Sequence, residues 1–190
     1  MAPGNNLAAA EKAPNCLYEE FKVCAEAVSA RVDRVTNSHE AALKIAEIIK
    51  ETKAKKVVVA SSPVADSLGL DTISNGAGPS IHRRDLRLHA ADADLGISGV
   101  DLAIIETGTL VQDATDMDSR LVSMLPPVHV ALARTDSIVA TLRDALGRYN
   151  DNLSALPSYL SFISGPSRTA DIERVLTIGV HGPGELHIIF

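Results

Sequence analysis

Three short stretches carry the side chains best suited to chemistry. The first is Glu-Thr-Gly-Thr at 106–109, which closes an apolar run. A carboxylate at the rim of a buried strand loses hydration, which raises its pKa and suits it to acid–base or covalent work. Gly108 beside it permits a positive φ or a close backbone approach. The plain alternative is a turn whose Glu106 pairs with a neighbouring arginine. The second stretch is ISGPSRTADIE, 163–173. Gly165-Pro166 ends an apolar run, and Ser167 or Thr169 can cap a following helix whose first turn holds Asp171 and Glu173. The N–H groups of that helix, the hydroxyls of Ser164, Ser167 and Thr169, and Arg168 would suit a carboxylate or phosphate. A well-made cap holding nothing is the alternative. The third is GVHGPGELH, 179–187, where glycines and a proline shape a loop around His181, a general acid–base candidate or a structural hydrogen-bonder.

Other groups offer less. The three acids of DATDMD (113–118) lack EF-hand spacing and read as a solvated loop. Arg83, Arg84 and Arg87 form a basic cluster whose ordinary reading is a solvated face. Ser61 and Ser62 are not in a G-x-S-x-G elbow, the six histidines show no HExxH pair, and neither Walker nor GxGxxG spacing occurs. Cys16 and Cys24 stand alone, without a CxxC run for a cluster or zinc.

The elements that must position these residues alternate. The spacing predicts helices over 16–31 and from Asn37, with Glu40 completing a capping box. Strands are expected at 55–62, 100–106, 128–134 and 158–164. GTLVQD (108–113) would pair back on the second of these, and a final strand follows the Gly-Pro-Gly turn. Further helices are expected at 63–69, 119–125, 137–148 and 167–176, with 71–80 a loop and 81–89 ambiguous. This alternation predicts an α/β domain with a mostly parallel sheet covered on both faces, over 15–190, after a flexible tail at 1–14. Ligands in such sheets lie outside the carboxyl ends of the strands. That points to loops 61–66, 106–109 and 164–169, whose strand ends are expected to converge.

Composition sets the outer limits. In 190 residues, 18 Lys and Arg against 24 Asp and Glu leave a formal charge of −6, which disfavours nucleic-acid and anionic-membrane surfaces. No apolar run reaches the roughly 20 residues of a membrane span, and the N-terminus lacks a secretory pattern, so a cytoplasmic location is expected.

DLAIIETGTLV, SRLVSMLPPVHVAL, ISGPSRTADIE and GVHGPGELHIIF, in this order, resemble the LUD-domain family over roughly 96–190. Glu106, Thr107, Gly108, Arg120, Gly165, Ser167, Thr169, Asp171, His181 and Gly182 match its signature positions. The resemblance implies a three-layer α/β/α fold similar to the ribose-5-phosphate isomerase and CoA-transferase group. By analogy with that group, Glu106–Thr109 and the 164–169 loop would face one pocket. The likeness is closest to the family's C-type members, which take part in oxidising L-lactate to pyruvate beside two iron–sulfur partner proteins. This chain would then need no cofactor of its own and would bind a small carboxylate or other anion. Arg168 and a helix N-terminus at 167–170 would hold it, with Glu106 or His181 handling protons. A non-catalytic assembly subunit, and a stand-alone transferase or isomerase acting on a phosphorylated or CoA-linked substrate, are the alternatives.

Overall fold

The computed structural model describes residues 14–70, 78–150, 156–170 and 176–190. In chain order the strands are β1 (Arg31–Asp33), β2 (Lys56–Val59), β3 (Ser80–His82), β4 (Leu95–Gly99), β5 (Leu102–Ile104), β6 (Thr109–Asp113), β7 (Val128–Leu132), β8 (Ile138–Val139), β9 (Leu160–Ile163), β10 (Arg168–Ala170), β11 (Leu176–Ile178) and β12 (Glu185–Ile189). The helices are α1 (Pro14–Ala27), α2 (Ser38–Thr52), α3 (Pro63–Ser67), α4 (Leu86–His89), α5 (Met117–Met124) and α6 (Leu142–Asn150).

Six strands form an all-parallel central sheet in the order β1-β12-β7-β4-β2-β3. Their apolar alternation decides what covers each face. On one face Ile45, Ile48 and Ile49 of α2, with Ala65 of α3, pack on Val57, Val59, Leu95, Ile97, Val130 and Leu132. On the other, α1 brings Tyr18, Phe21 and Ala25 against Ala131, Leu186, Ile188 and Phe190. Leu86 of α4 and Val122 of α5 cover Val58 and Ala60 there. Burying side chains of this size contributes about 1.5–3 kcal/mol each. The result is three α/β/α layers. The expected cap of α2 is present: Asn37 Oδ1 accepts from Glu40 N (2.9 Å), while Glu40 Oε2 accepts from Thr36 N (2.8 Å).

A second, four-stranded sheet, order β8-β5-β6-β9, packs on the α1 side. Its inner residues Ala103 and Leu110, with Ile105 in the turn just after β5, join the α1 cluster. Leu102, Ile104, Val111 and Val139 meet Ala145 of α6 on its other face.

Several sequence expectations change. The central strand is β4, Leu95–Gly99, and not 100–106; β5 lies in the second sheet, with β6 antiparallel to it as expected. The glycines of β4 disguise it, yet they are what the packing requires. A Cβ at Gly96 would strike the Val122 carbonyl of α5, and one at Gly99 would come 2.6 Å from Ser62 Oγ. The strand expected at 158–164 is β9, in the second sheet. The helix expected at 137–148 begins only at Leu142, because Ile138 and Val139 pair with Ala103 and Ile104. At its described ends the segment expected as a helix at 167–176 is strand: β10 and β11 pair antiparallel, Arg168 with Ile178 and Thr169 with Thr177. Ser167 N donates to Pro183 O and Gly179 N to Ser167 O, so tertiary backbone partners replace the helix ladder. Asp171 and Glu173, along with the tail at 1–13, lie outside the described residues.

Candidate functional site

The three motifs do meet, but not at the carboxyl edge of the central sheet. Thr109 Oγ1 lies 2.6 Å from Ser164 Oγ, joining the ETGT turn to the SGPSR stretch. The Ser167 N–H reaches Pro183 O at 2.8 Å, joining SGPSR to HGPG, and a Cβ at Gly182 would sit 3.1 Å from the Ser167 Cβ. The HGPG loop runs directly into the start of β12, and Gly184 N donates to Pro127 O just before β7. The junction therefore stands at the amino edge of the parallel strands.

What it holds is the end of α1. Gly108 has φ +60°, and a Cβ there would lie 2.5–2.6 Å from the backbone of Cys24 and Ala25. Gly165, at φ +71°, abuts the Val28 carbonyl in the same way. Arg168 donates through Nη2 to Val28 O and to Ser29 Oγ (3.1 Å). The guanidinium assigned above to an anion thus caps the carbonyl end of α1. Glu106 is exposed, not desolvated at a sheet rim, and its Oε2 accepts from Leu142 N (3.2 Å) at the start of α6. Thr107, Ser164 and His181 are exposed, and Thr169 is carried by β10. Arg120, on α5, lies over the Tyr159 ring at 4.6 Å, outside this junction's contacts.

Topology places the ligand crevice elsewhere. From β2 the chain passes through α3 to edge strand β3, then crosses to β4 on the other side of β2. From β4 it leaves toward the opposite face, through the second sheet and α5. The carboxyl ends of β2 and β4 thus diverge at a topological switch point, where open α/β sheets bind ligands. A crevice of about 500 Å³ opens there, lined by Ser61, Ser62, Asp101, Asp113, Ser119 and Arg134 among others. A second, of about 550 Å³, adjoins it over the ends of β7 and β12, with Thr36, Asn37, Ser38, Asp136 and again Arg134. Pro63, Val64 and Arg134 line both. Of the three loops expected at this edge, only 61–66 is there.

The electrostatics of the two halves differ. Arg134 donates through Nε and Nη2 to the two oxygens of Asp136, at 2.9 and 2.6 Å. That pairing holds the Asp136 carboxyl below the ordinary aspartate range and aims the guanidinium. Nη1 has no protein partner among the described residues. Asp101 accepts from Asp113 N. Burial raises the Asp101 carboxyl above its usual value; the Asp113 N–H works against this and the Asp113 charge adds to it. Beneath the floor lies a buried polar chain. Gln112 Nε2 donates to Ser98 Oγ (2.9 Å) and Gly99 O (3.1 Å), and the Ser98 hydroxyl reaches His129 Nε2 (2.9 Å). Which of Ser98 and His129 donates in that bond depends on the imidazole tautomer, and the buried Nδ1 of His129 has no hydrogen-bond partner among the described residues. All three side chains are buried, so the chain fixes the end of β4 and is closed to substrate. Burial pushes His129 down to about 4. Among the described residues no group of His, Cys, Asp and Glu is arranged to hold a metal ion, and no helix is long and apolar enough to cross a membrane.

The sequence reading did not single out Arg134 or Asp101. Arg134 was within reach, as it is the last residue of an expected strand; Asp101 was hidden inside a strand drawn one element too late.

A three-layer α/β protein with a crevice at the switch point of a parallel sheet is the class that fold and site define. Residues 18–190 match the LUD domain, and the chain belongs to that family. It is 30% identical over 177 residues to lactate utilization protein C of Halalkalibacterium halodurans, covering 89% of this chain and 74% of that protein. It is 33% identical over 150 residues to lactate utilization protein C 1 of Bacillus mycoides, covering 73% and 64%. Among solved structures, a DUF162 family protein from Deinococcus radiodurans shares the fold with a TM-score of 0.66, at 21% identity, over 94% of this chain and 98% of that one.

Proposed function

We propose that the chain acts in lactate utilization and binds a small 2-hydroxy or 2-oxo carboxylate in the paired crevices at the carboxyl edge of the central sheet. The observation that carries this is Arg134, a guanidinium shared by both crevices and aimed by Asp136. The carboxylate sits on the α2 side, where Asp136, already paired, is the only acidic side chain among the described lining residues and the first N–H groups of a capped helix add positive potential. Asp101 and Asp113 are kept to the other half, within reach of the carbon that changes oxidation state. Arg134 holds the carboxylate and Asp101 takes the hydroxyl proton. The oxidation also breaks the Cα–H bond: that hydrogen leaves as a proton to solvent, and the two electrons released as a 2-hydroxy acid becomes a 2-oxo acid pass one at a time to iron–sulfur partner proteins, since the sequence has no cysteine cluster motif of its own. The resemblance to relatives named for lactate utilization supports the substrate class, and a cytoplasmic location fits the same reading.

Calorimetric titration of lactate and pyruvate into the purified chain tests it. Charge-assisted hydrogen bonds contribute about 1.5–3 kcal/mol, so Arg134→Ala should weaken binding roughly 10- to 100-fold. Unchanged affinity removes Arg134 from the site. If Glu106→Gln or His181→Ala weakens binding instead, the ligand belongs at the α1 junction. If Arg134→Ala leaves reconstituted lactate oxidation intact, an assembly role takes the place of this one.

A further inference from the structure

The crevice at the ends of β2 and β4 is walled by polar groups whose hydrogen-bonding capacity is partly spent within the protein. Ser61 Oγ donates to Asp66 Oδ2 at 2.8 Å, and Arg83 Nη1 donates to Asp66 Oδ1 at 2.8 Å. The ion pair keeps that carboxylate charged, so the Ser61 proton is committed and only its lone pairs remain for a ligand. Asp101 and Asp113 each spend one carboxylate oxygen on a backbone N–H, that of Asp113 and that of Thr115. The other oxygen of each has no partner among the described residues, and Asp116 makes no side-chain cap at the start of α5. Ser62 and Thr115 have the opposite capacity. Their oxygens accept from Ala65 N (3.2 Å) and Ser158 N (2.9 Å), which leaves both hydroxyl protons to donate. A ligand matching this wall must donate to Ser61 and the carboxylates and accept from Ser62 and Thr115. Oxo, phosphate and carboxylate groups only accept, and an ammonium only donates; a hydroxyl does both. Three carboxylates also repel a second anionic group on the ligand. Space points the same way. Crevices of about 500 and 550 Å³ adjoin and share Arg134. At a water's share of about 30 Å³ per non-hydrogen atom, lactate fills at most about 180 Å³.

We infer that the crevice takes a polyhydroxy acid, a 2-hydroxy carboxylate whose chain is longer than that of lactate and carries further hydroxyls. Its carboxylate meets Arg134 and its 2-hydroxyl meets Asp101. The hydroxyls beyond exchange hydrogen bonds with Ser61, Asp113 and Ser62. The Asp66–Arg83 pair is then a positioning device, because it turns the Ser61 proton away from the ligand and makes that hydroxyl an acceptor. Lactate enters the same site but leaves most of this wall unused. The Arg134 carboxylate site proposed above is presupposed; what is added is the chemistry of the rest of the ligand.

Calorimetric titration of the full chain with a matched pair, erythronate and 2-hydroxybutyrate, tests this. The two acids share the carboxylate, the 2-hydroxyl and the carbon chain, and differ in the hydroxyls at C3 and C4. A site built to hydrogen-bond a hydroxyl discriminates against the analogue that lacks it, so erythronate should bind about tenfold or more tightly. Ser61→Ala should narrow that ratio by about three- to tenfold, and Asp113→Ala by about tenfold. Equal affinities for the two acids, both weakened by Arg134→Ala, would overturn the polyhydroxy ligand and leave the carboxylate site standing. A ratio untouched by both Ser61→Ala and Asp113→Ala would also overturn it. Tighter binding of 4-amino-2-hydroxybutyrate than of erythronate would give the wall to a cationic chain instead. Binding of neither acid to the unmodified chain would overturn the carboxylate site itself.

Discussion

Gly108→Ala is the sharpest test of whether the ETGT turn is packing or chemistry. The substitution has two costs that the structure separates. At φ +60° a Cβ strains the backbone by about 1–2 kcal/mol. It also arrives 2.5–2.6 Å from Cys24 and Ala25, where backbone and not a flexible side chain must yield. Overpacking of this kind costs typically 1–3 kcal/mol. The expected loss is therefore about 2–5 kcal/mol. Gly69→Ala supplies the control, because Gly69 has φ +59° and no atom of the described residues within 4 Å of its Cβ position. It should lose only the strain, about 1–2 kcal/mol. For a chain of this size each kcal/mol shifts Tm by roughly 2–4 °C. Urea denaturation of both variants at neutral pH, read by far-ultraviolet circular dichroism, gives the difference directly. Gly108→Ala should be the less stable by about 1–3 kcal/mol. Equal losses in the two variants would refute the close approach of the turn to α1. A fully stable Gly108→Ala that had lost lactate affinity would place the turn in the binding site.

Two further outcomes are expected. Unfolded histidine titrates near 6.5 but His129 in the folded chain near 4, so between these values the unfolded state binds more protons. Stability should then fall as pH drops from 6.5 toward 4, by up to about 3 kcal/mol. His129→Gln should flatten that slope in denaturant titrations, leaving the smaller contribution of His187, whose pKa burial also lowers; an unaltered slope would exclude His129. Arg168→Ala should speed amide exchange in the last turn of α1 and lower stability by about 1 kcal/mol. Reduced carboxylate affinity with α1 exchange unchanged would return Arg168 to a binding role.

Much of the architecture was readable because its causes are local. The Asn37–Glu40 cap and the isoleucine stripe of α2 are spacing signals, and the β-branched runs of β2 and β7 can only be buried strands. What misled the reading was local too. Residues 167–176 read as a helix by propensity, yet Pro183 and Gly179 supply Ser167 with backbone partners from outside the segment, and among the described residues strand pairing wins. Likewise Gly96 and Gly99 weaken β4 as a strand by propensity, while the packing of α5 and Ser62 demands them. The signature motifs were visible as motifs, but their partners were not. Arg168 lies about 140 residues from the carbonyl it caps, a separation no local pattern spans.

The sequence by itself determined the α/β class, the alternation of elements, the capped entry to α2 and the family, because periodicity, capping and motif order are properties of neighbours along the chain. Only the tertiary structure decided which edge each motif faces. Strand order is set by which apolar faces can be buried together, and that global choice sent ETGT, SGPSR and HGPG to the end of α1. It left Arg134 and Asp101 at the switch point.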